Sequence, residues 1–352
     1  MKIVSVLFLL LLGNIFSASA QVVDVATNLN RPQLMEIKDN FLYVAQSQSG
    51  VISKIDISNS AYASTDIITG LNNPVGLKIS GDELYVTELY ANRIFKVDLT
   101  DPNLNQIDIL TNIDRPSGIE IIGNELFFTL ASNSNDRLMK VDLADTNKIV
   151  IELLDGLQDP VDIIAKGNDL YISEFLGNKI SKINTLSPSP TKVDVVTGGL
   201  NGPVALHFIG NDLFVANYNS NQVSKVNISQ SLPISSTANV QAVTSPYGLI
   251  FDGNEMYVSD FDTKVVTFNI FPVSTDSRIK MKSWSIFPNP TQSFIQIHNL
   301  EQPQYYSIIN MNGQVVQTGI AQPNERILIE NLVNGNYIIC MKNGSVGKFI
   351  KD

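Results

Sequence analysis

Four oxygen-bearing side chains recur at one register of the chain: Glu88, Glu174, Asn217 and Asp260. Each stands fourteen residues past a proline, at Pro74, Pro160, Pro203 and Pro246, and the same place holds Gln46 after Pro32 and Leu130 after Pro116. Carboxylate and amide oxygens gathered in a ring would suit Ca²⁺ or another divalent cation, because Ca²⁺ takes about six to eight oxygen ligands. The same groups at a strand end suit capping loop amides within their own blade, which is the reading to prefer. Two further polar residues stand nearer the prolines. Asp162 replaces the small residue found in Gly76, Gly118, Ala205 and Gly248, and His207 is four past Pro203. A histidine near a carboxylate can do acid–base work, whereas alone it packs or bonds water. Aromatics follow the oxygen donors by one or two residues: Tyr90, Phe175, Tyr218 and Phe261, with Tyr62 and Tyr247 in other loops. Such rings offer stacking surface for a sugar or a protein, or else packing between adjacent loops.

The strings that mark common hydrolases and nucleotide enzymes are absent: G-x-S-x-G, H-E-x-x-H, Walker A and G-x-G-x-x-G, and an EF-hand loop as well. The formal net charge of −10 argues against nucleic acid or anionic lipid, since phosphate binding needs clustered Lys and Arg. Cys340 is the only cysteine, so neither an internal disulfide nor a thiolate zinc cluster can form.

These residues are carried on a phrase used six times, opened by Pro32, Pro74, Pro116, Pro160, Pro203 and Pro246. Seven residues past the proline stands Gly81, Gly123, Gly167, Gly210 or Gly253, with Asp39 in the first copy, always followed by Asn or Asp. That pair between apolar runs predicts a tight hairpin. Runs such as Leu84-Tyr85-Val86, Ile94-Phe95-Lys96-Val97 and Ile107-Asp108-Ile109-Leu110 make four short strands per period. Four strands in roughly 40–45 residues fit one blade of a β-propeller, so residues 21–271 predict six blades. Within the first strand, alternation puts small or polar residues toward the axis, including Glu36, Lys78, Glu120 and His207, and apolar ones such as Leu77 and Ile79 between blades. The sixth copy has three strands. Val22-Val23-Asp24-Val25, ahead of the first proline, is expected to supply the fourth and close the ring.

At the start, Lys2, an apolar run and Ala18-Ser19-Ala20 predict a secretory signal peptide over 1–20. No other stretch approaches the roughly 18 apolar residues of a spanning helix, so no transmembrane segment is expected in the mature chain. Residues 272–284 read as a linker, and 285–352 as a small β-sandwich with Gly and Asn turns.

The Pro-x-Gly start, the Gly-Asn/Asp turn and strands such as Leu213-Phe214-Val215-Ala216-Asn217 resemble NHL-type and YVTN-type propeller repeats. The tail carries Phe287-Pro288-Asn289-Pro290-Thr291, then Asn312-Gly313-Gln314-Val315-Val316, then Asn331-Leu332 with Gly335 and Tyr337. These motifs, in this order, resemble the type A sorting domain of the type IX secretion system. The resemblance implies the type IX machinery as a partner, a Gram-negative bacterium of the Bacteroidota kind, and passage through the periplasm to the surface or beyond. The propeller also resembles gluconolactonase-like lactonases, which implies an axial metal held by acidic and amide groups, here Glu88, Glu174, Asn217 and Asp260. The leading expectation is a non-catalytic binding module for an extracellular protein or glycan, with Glu88, Tyr90, Glu174, Asn217, Asp260, Asp162 and His207 at its ligand site. The alternative is a divalent-metal-dependent lactonase, and a third reading is a purely structural surface component.

Overall fold

The structure is a computed structural model that describes residues 22–132, 135–235, 237–253, 255–269, 285–298, 300, 304–310, 315–323, 325–341 and 346–352. The expected leader over 1–20 and linker over 272–284 lie outside the described residues. The chain divides into two compact units, Met1–Val273 and Ser274–Asp352.

The first unit is six four-stranded antiparallel sheets. Their innermost strands are Pro32–Lys38, Pro74–Ser80, Pro116–Ile122, Pro160–Lys166, Pro203–Ile209 and Pro246–Asp252, here the inner strands of blades 1 to 6. Each turns back through its hairpin into a second strand: Phe41–Gln46, Glu83–Glu88, Glu125–Leu130, Asp169–Glu174, Asp212–Asn217 and Glu255–Asp260. The hairpin glycines Gly81, Gly123, Gly167, Gly210 and Gly253 all have φ between 58° and 62°, and Asp39 adopts 55° in blade 1. That left-handed conformation explains why glycine fills five of the six places.

The ring closes as the sequence predicts. Val23–Ala26 lies antiparallel to Val265–Asn269 as the outer strand of blade 6, pairing Val23 with Thr267 and Asp24 with Val266. An apolar cluster fills every junction between neighbouring blades. Tyr43 meets Leu77 between blades 1 and 2, Tyr85 meets Ile119, Phe127 meets Ile163, Tyr171 meets Leu206, and Phe214 meets Leu249. Met35 and Tyr257 share the cluster that joins blade 6 back to blade 1, with Val25 of the closing strand in it. Non-directional burial of this kind drives the blades together.

One expectation about the inner strand needs correcting. Gly76 and Gly248 do not simply face the axis: they are small because the next blade's backbone lies against them. A Cβ at Gly76 would sit 2.2 Å from the Ser117 carbonyl oxygen, and one at Gly248 would sit 2.3 Å from that of Gln33. A hydroxyl bridges the same contact. Thr87 Oγ1 accepts the Gly76 amide and donates to Ser117 O, both at 2.8 Å, and Ser259 Oγ joins Gly248 to Gln33 O in the same way.

The second unit holds two sheets. Three strands, Ser285–Phe287, Phe294–His298 and Arg326–Leu328, form one. Val315–Ala321, Gln304–Asn310, Gly335–Met341 and Val346–Lys351 form the other, in that order. Ile295, Ile308, Ile327 and Ile339 meet in one core drawn from both sheets. Cys340 is a free, half-buried thiol.

Candidate functional site

The residue before each proline begins the site. Arg31, Asn73, Arg115, Asp159 and Ser245 have φ of 53°, 59°, 50°, 54° and 43°, and Gly202 completes the ring at 63°. Each carbonyl accepts the amide that follows its blade's second strand: Arg31 O from Ser47 and Asn73 O from Leu89 at 3.0 Å, Arg115 O from Ala131 at 3.1 Å, Asp159 O from Phe175 at 3.0 Å, and Gly202 O from Tyr218 and Ser245 O from Phe261 at 2.9 Å. The two loops of each blade therefore stand on one rim. The preceding blade fixes the same residues from behind. Asn92 Oδ1 accepts the Arg115 amide at 3.1 Å, Asp136 Oδ2 that of Asp159 at 2.6 Å, and Asn221 Oδ1 that of Ser245 at 2.7 Å.

This rim surrounds a mouth of about 340 Å³. Its two halves differ. Blades 1 to 3 contribute Arg31, Asn73, Tyr90 and Arg115, above the smaller Ser47, Leu89 and Ala131. Blades 4 to 6 contribute Phe175, Tyr218, Tyr247 and Phe261 as one arc of touching rings. Centroids lie 6.0 Å apart for Phe175–Tyr218, 5.3 Å for Tyr218–Phe261 and 5.2 Å for the stacked Tyr247–Phe261. The Arg31 guanidinium sits 5.4 Å from the Phe261 ring, and that of Arg115 sits 5.4 Å from Tyr90. Burial, and then the Asp136 charge, raise the Asp159 pKa above the usual carboxylate range, with Arg115 opposing.

Deeper on the axis lies a second cavity of about 160 Å³, lined by Glu36, Lys78, Glu120, Asp162 and His207. Lys78 Nζ is 2.7 Å from Glu120 Oε1 and 3.8 Å from Glu36 Oε1. Asp162 points inward as its place predicts and also ties two blades, its Oδ1 and Oδ2 accepting the Ile163 and Leu206 amides at 2.9 Å. Burial pushes both Glu36 and Asp162 up to about 7, against the pull of Lys78 on the first and of the two amides on the second. Burial, with Lys78 nearby, brings His207 down to about 4, so its imidazole is neutral at pH 7. His207 packs on Phe251 at 4.9 Å between ring centroids.

Glu88, Glu174, Asn217 and Asp260 line neither the mouth nor the channel. Each is buried at the end of its own second strand and bonded to its own blade. Glu88 accepts the Asn72 amide at 2.6 Å, Glu174 that of Gln158 at 3.1 Å, and Asn217 that of Asn201 at 3.1 Å, sixteen residues earlier in each case. Gln46 does the same for Asn30 at 2.8 Å. Asp260 Oδ1 takes three amides, of Asp262, Thr263 and Lys264, at 2.7–3.1 Å. Arg93 pairs with Glu88, and Lys192 lies 3.3 Å from Glu174. Among the described residues no group of three or more His, Cys, Asp or Glu side chains could hold a metal ion. The proposed cation set therefore does not meet at one point, and its oxygens cap loops instead. Leu130 cannot act so; in the same blade Asp136 Oδ1 accepts the Ser132 amide at 2.8 Å.

Of the predicted site residues, then, Tyr90 lines the mouth, Asp162 and His207 line the channel, and the other four stand behind. Of the loop aromatics, Tyr62 packs against the closing cluster instead. The ring before the prolines was not picked out from sequence, although its signal is a sixfold place filled by Arg, Asn, Arg, Asp, Gly and Ser.

Residues 285–352 match the family described as the secretion system C-terminal sorting domain. The tail is a type IX sorting domain. It marks the chain for export by that system. No curated protein matches the sequence. Solved structures similar to the propeller include virginiamycin B lyase from Staphylococcus aureus, 19% identical, covering 71% of this chain and 99% of that one, with a TM-score of 0.52. A gluconolactonase from Xanthomonas campestris is 10% identical over 72% and 90%, with a TM-score of 0.58. A nidogen/laminin complex contains a chain 16% identical over 62% and 83%, with a TM-score of 0.53. At these identities the likeness establishes the propeller fold and leaves the chemistry to the site.

Proposed function

We propose that this exported propeller is a non-catalytic binding module, displayed at or released from the cell surface, that holds an extracellular ligand in the mouth above its axis. The observation that carries this reading is the arc of Phe175, Tyr218, Tyr247 and Phe261, four half-buried rings turned into an open cavity. Rigid aromatic surface of this kind gives contact area at low entropic cost. A cavity of about 340 Å³ falls within the ordinary size of ligand sites. The leader at 1–20 and the type IX machinery as partner complete the export route.

The lactonase alternative requires a cation on oxygens that are already engaged with loop amides. Screening the purified protein against glycans and extracellular proteins tests the binding reading, with retention of a ligand expected. Elemental analysis of the same sample tests the alternative, because a stoichiometric divalent cation would favour the enzyme.

A further inference from the structure

In a chain of net charge −10, the mouth carries two guanidinium groups with no carboxylate within 4 Å among the described residues, although Arg115 acts on Asp159 through its charge. Among the described residues, most other cations of the propeller are paired: Lys38, Lys78, Arg93, Lys96, Arg137, Lys140, Lys179, Lys182, Lys192, Lys225 and Lys264 all meet a carboxylate within 4 Å. Among the described residues Arg31 makes no side-chain hydrogen bond, and its guanidinium lies over Phe261. Arg115 donates from Nε to Ala131 O at 2.7 Å, and its two terminal nitrogens have no hydrogen-bond partner among the described residues. Their placement is built. Both stand on left-handed backbone, Arg115 is pinned by Asn92, and the small side chains of Ser47 and Ala131 beside them leave the guanidinium groups open.

The opposite wall has the complementary character. Tyr218, Tyr247 and Phe261 present ring faces and edges. The side chains of Asn73 and Asp159 line the same cavity without a hydrogen-bond partner among the described residues. A ligand that satisfies every part needs an anionic group, hydroxyls, and a flat C–H face. Planar guanidinium groups match a carboxylate in bidentate fashion. Aromatic rings take the C–H face, and an amide with a carboxylate takes hydroxyls from either side.

Resting on the binding reading above, we propose that the mouth recognises a carboxylated sugar, a hexuronate unit of an acidic glycan. Its carboxylate meets Arg31 and Arg115, its hydroxyls meet Asn73 and Asp159, and its ring lies on Tyr218. The unpaired guanidinium groups also draw an acidic polymer toward this rim of an otherwise acidic protein.

The test is calorimetric titration of the purified protein with trimers of galacturonate, glucuronate, mannuronate and guluronate, each beside its carboxyl-reduced neutral form. At least one acidic trimer is expected to bind, with its neutral form at least tenfold weaker. Arg115→Gln and Arg31→Gln should each weaken the acidic trimer at least tenfold and weaken the neutral form by a smaller factor, with both variants folded by circular dichroism. Equal affinity for acidic and neutral forms, or no binding of any acidic trimer, overturns the carboxylate assignment. If a neutral sugar binds and Tyr218→Ala abolishes it while the arginine variants do nothing, the mouth reading stands and the anionic class falls. If sugars bind but neither arginine nor Tyr218 variants alter them, both fall.

Discussion

The Glu88 carboxylate accepts the backbone amide of Asn72 at 2.6 Å, from sixteen residues further on in the chain. This bond fixes the approach to the inner strand of blade 2, and its counterparts do so from Gln46, Glu174 and Asn217. Because Gln and Asn serve as well as Glu, what the place requires is an acceptor oxygen and not a charge. Glu88→Gln should therefore be mild. Glu88→Ala leaves a loop amide unpaired and weakens the hold on Arg93, and should cost about 2–3 kcal/mol. Urea unfolding of the two variants checks the difference, and equal losses would contradict it.

Ring closure rests on a strand drawn from the far end of the chain. Val25 is 4% exposed within the cluster that contains Met35 and Tyr257, whereas Val23 on the same strand is 38% exposed. Val25→Asp buries an unpaired charge and should destabilise by about 3 kcal/mol or more. Val23→Asp should change stability by less than about 0.5 kcal/mol. Thermal melts of both variants read this out.

The channel makes stability depend on pH. Folded, Glu36 and Asp162 keep their protons up to about pH 7; unfolded, they lose them near pH 4. The folded state binds more protons across that window, so stability falls as pH rises from about 4 to 7. His207 acts the other way. Its folded pKa of about 4 means the unfolded state binds the extra proton up to about 6.5, and its share of stability rises with pH. Two carboxyl groups outweigh one imidazole, and the groups facing them are Lys78 and Glu120. Glu36→Gln should gain stability relative to the unmodified protein between pH 5 and pH 8, measured by urea unfolding at both. An identical pH profile would contradict the assignment.

The hydroxyl bridge between inner strands gives a further expectation. Thr87→Val removes the acceptor for Gly76 N and the donor to Ser117 O inside a buried junction. The loss should be about 1–3 kcal/mol, with Thr87→Ser recovering most of it. Denaturant midpoints of the pair suffice to check this.

The blades, their hairpins and the latch were legible because each rests on a local rule repeated six times. Gly81 and its equivalents need positive φ, and the alternation through Leu77 and Ile79 needs one buried face. The site was legible only in part. Tyr90, Phe175, Tyr218 and Phe261 showed as loop aromatics, since each stands one or two residues past the second strand. The role of Glu88, Glu174, Asn217 and Asp260 lay between cation ligand and cap, with the cap preferred. Sequence spacing fixes the register of an oxygen but not which amide it reaches. Arg31 and Arg115 escaped notice because their significance comes from missing partners and from the small Ser47 and Ala131 beside them. Those are relations between loops, and periodicity does not carry them.

The most direct test of the mouth as a binding site is a side-by-side screen of the unmodified protein and the Tyr218→Ala, Phe261→Ala double variant against glycans and extracellular proteins. The account predicts a ligand retained by the first and lost by the second, with both samples folded by circular dichroism. A ligand held equally by both would contradict it.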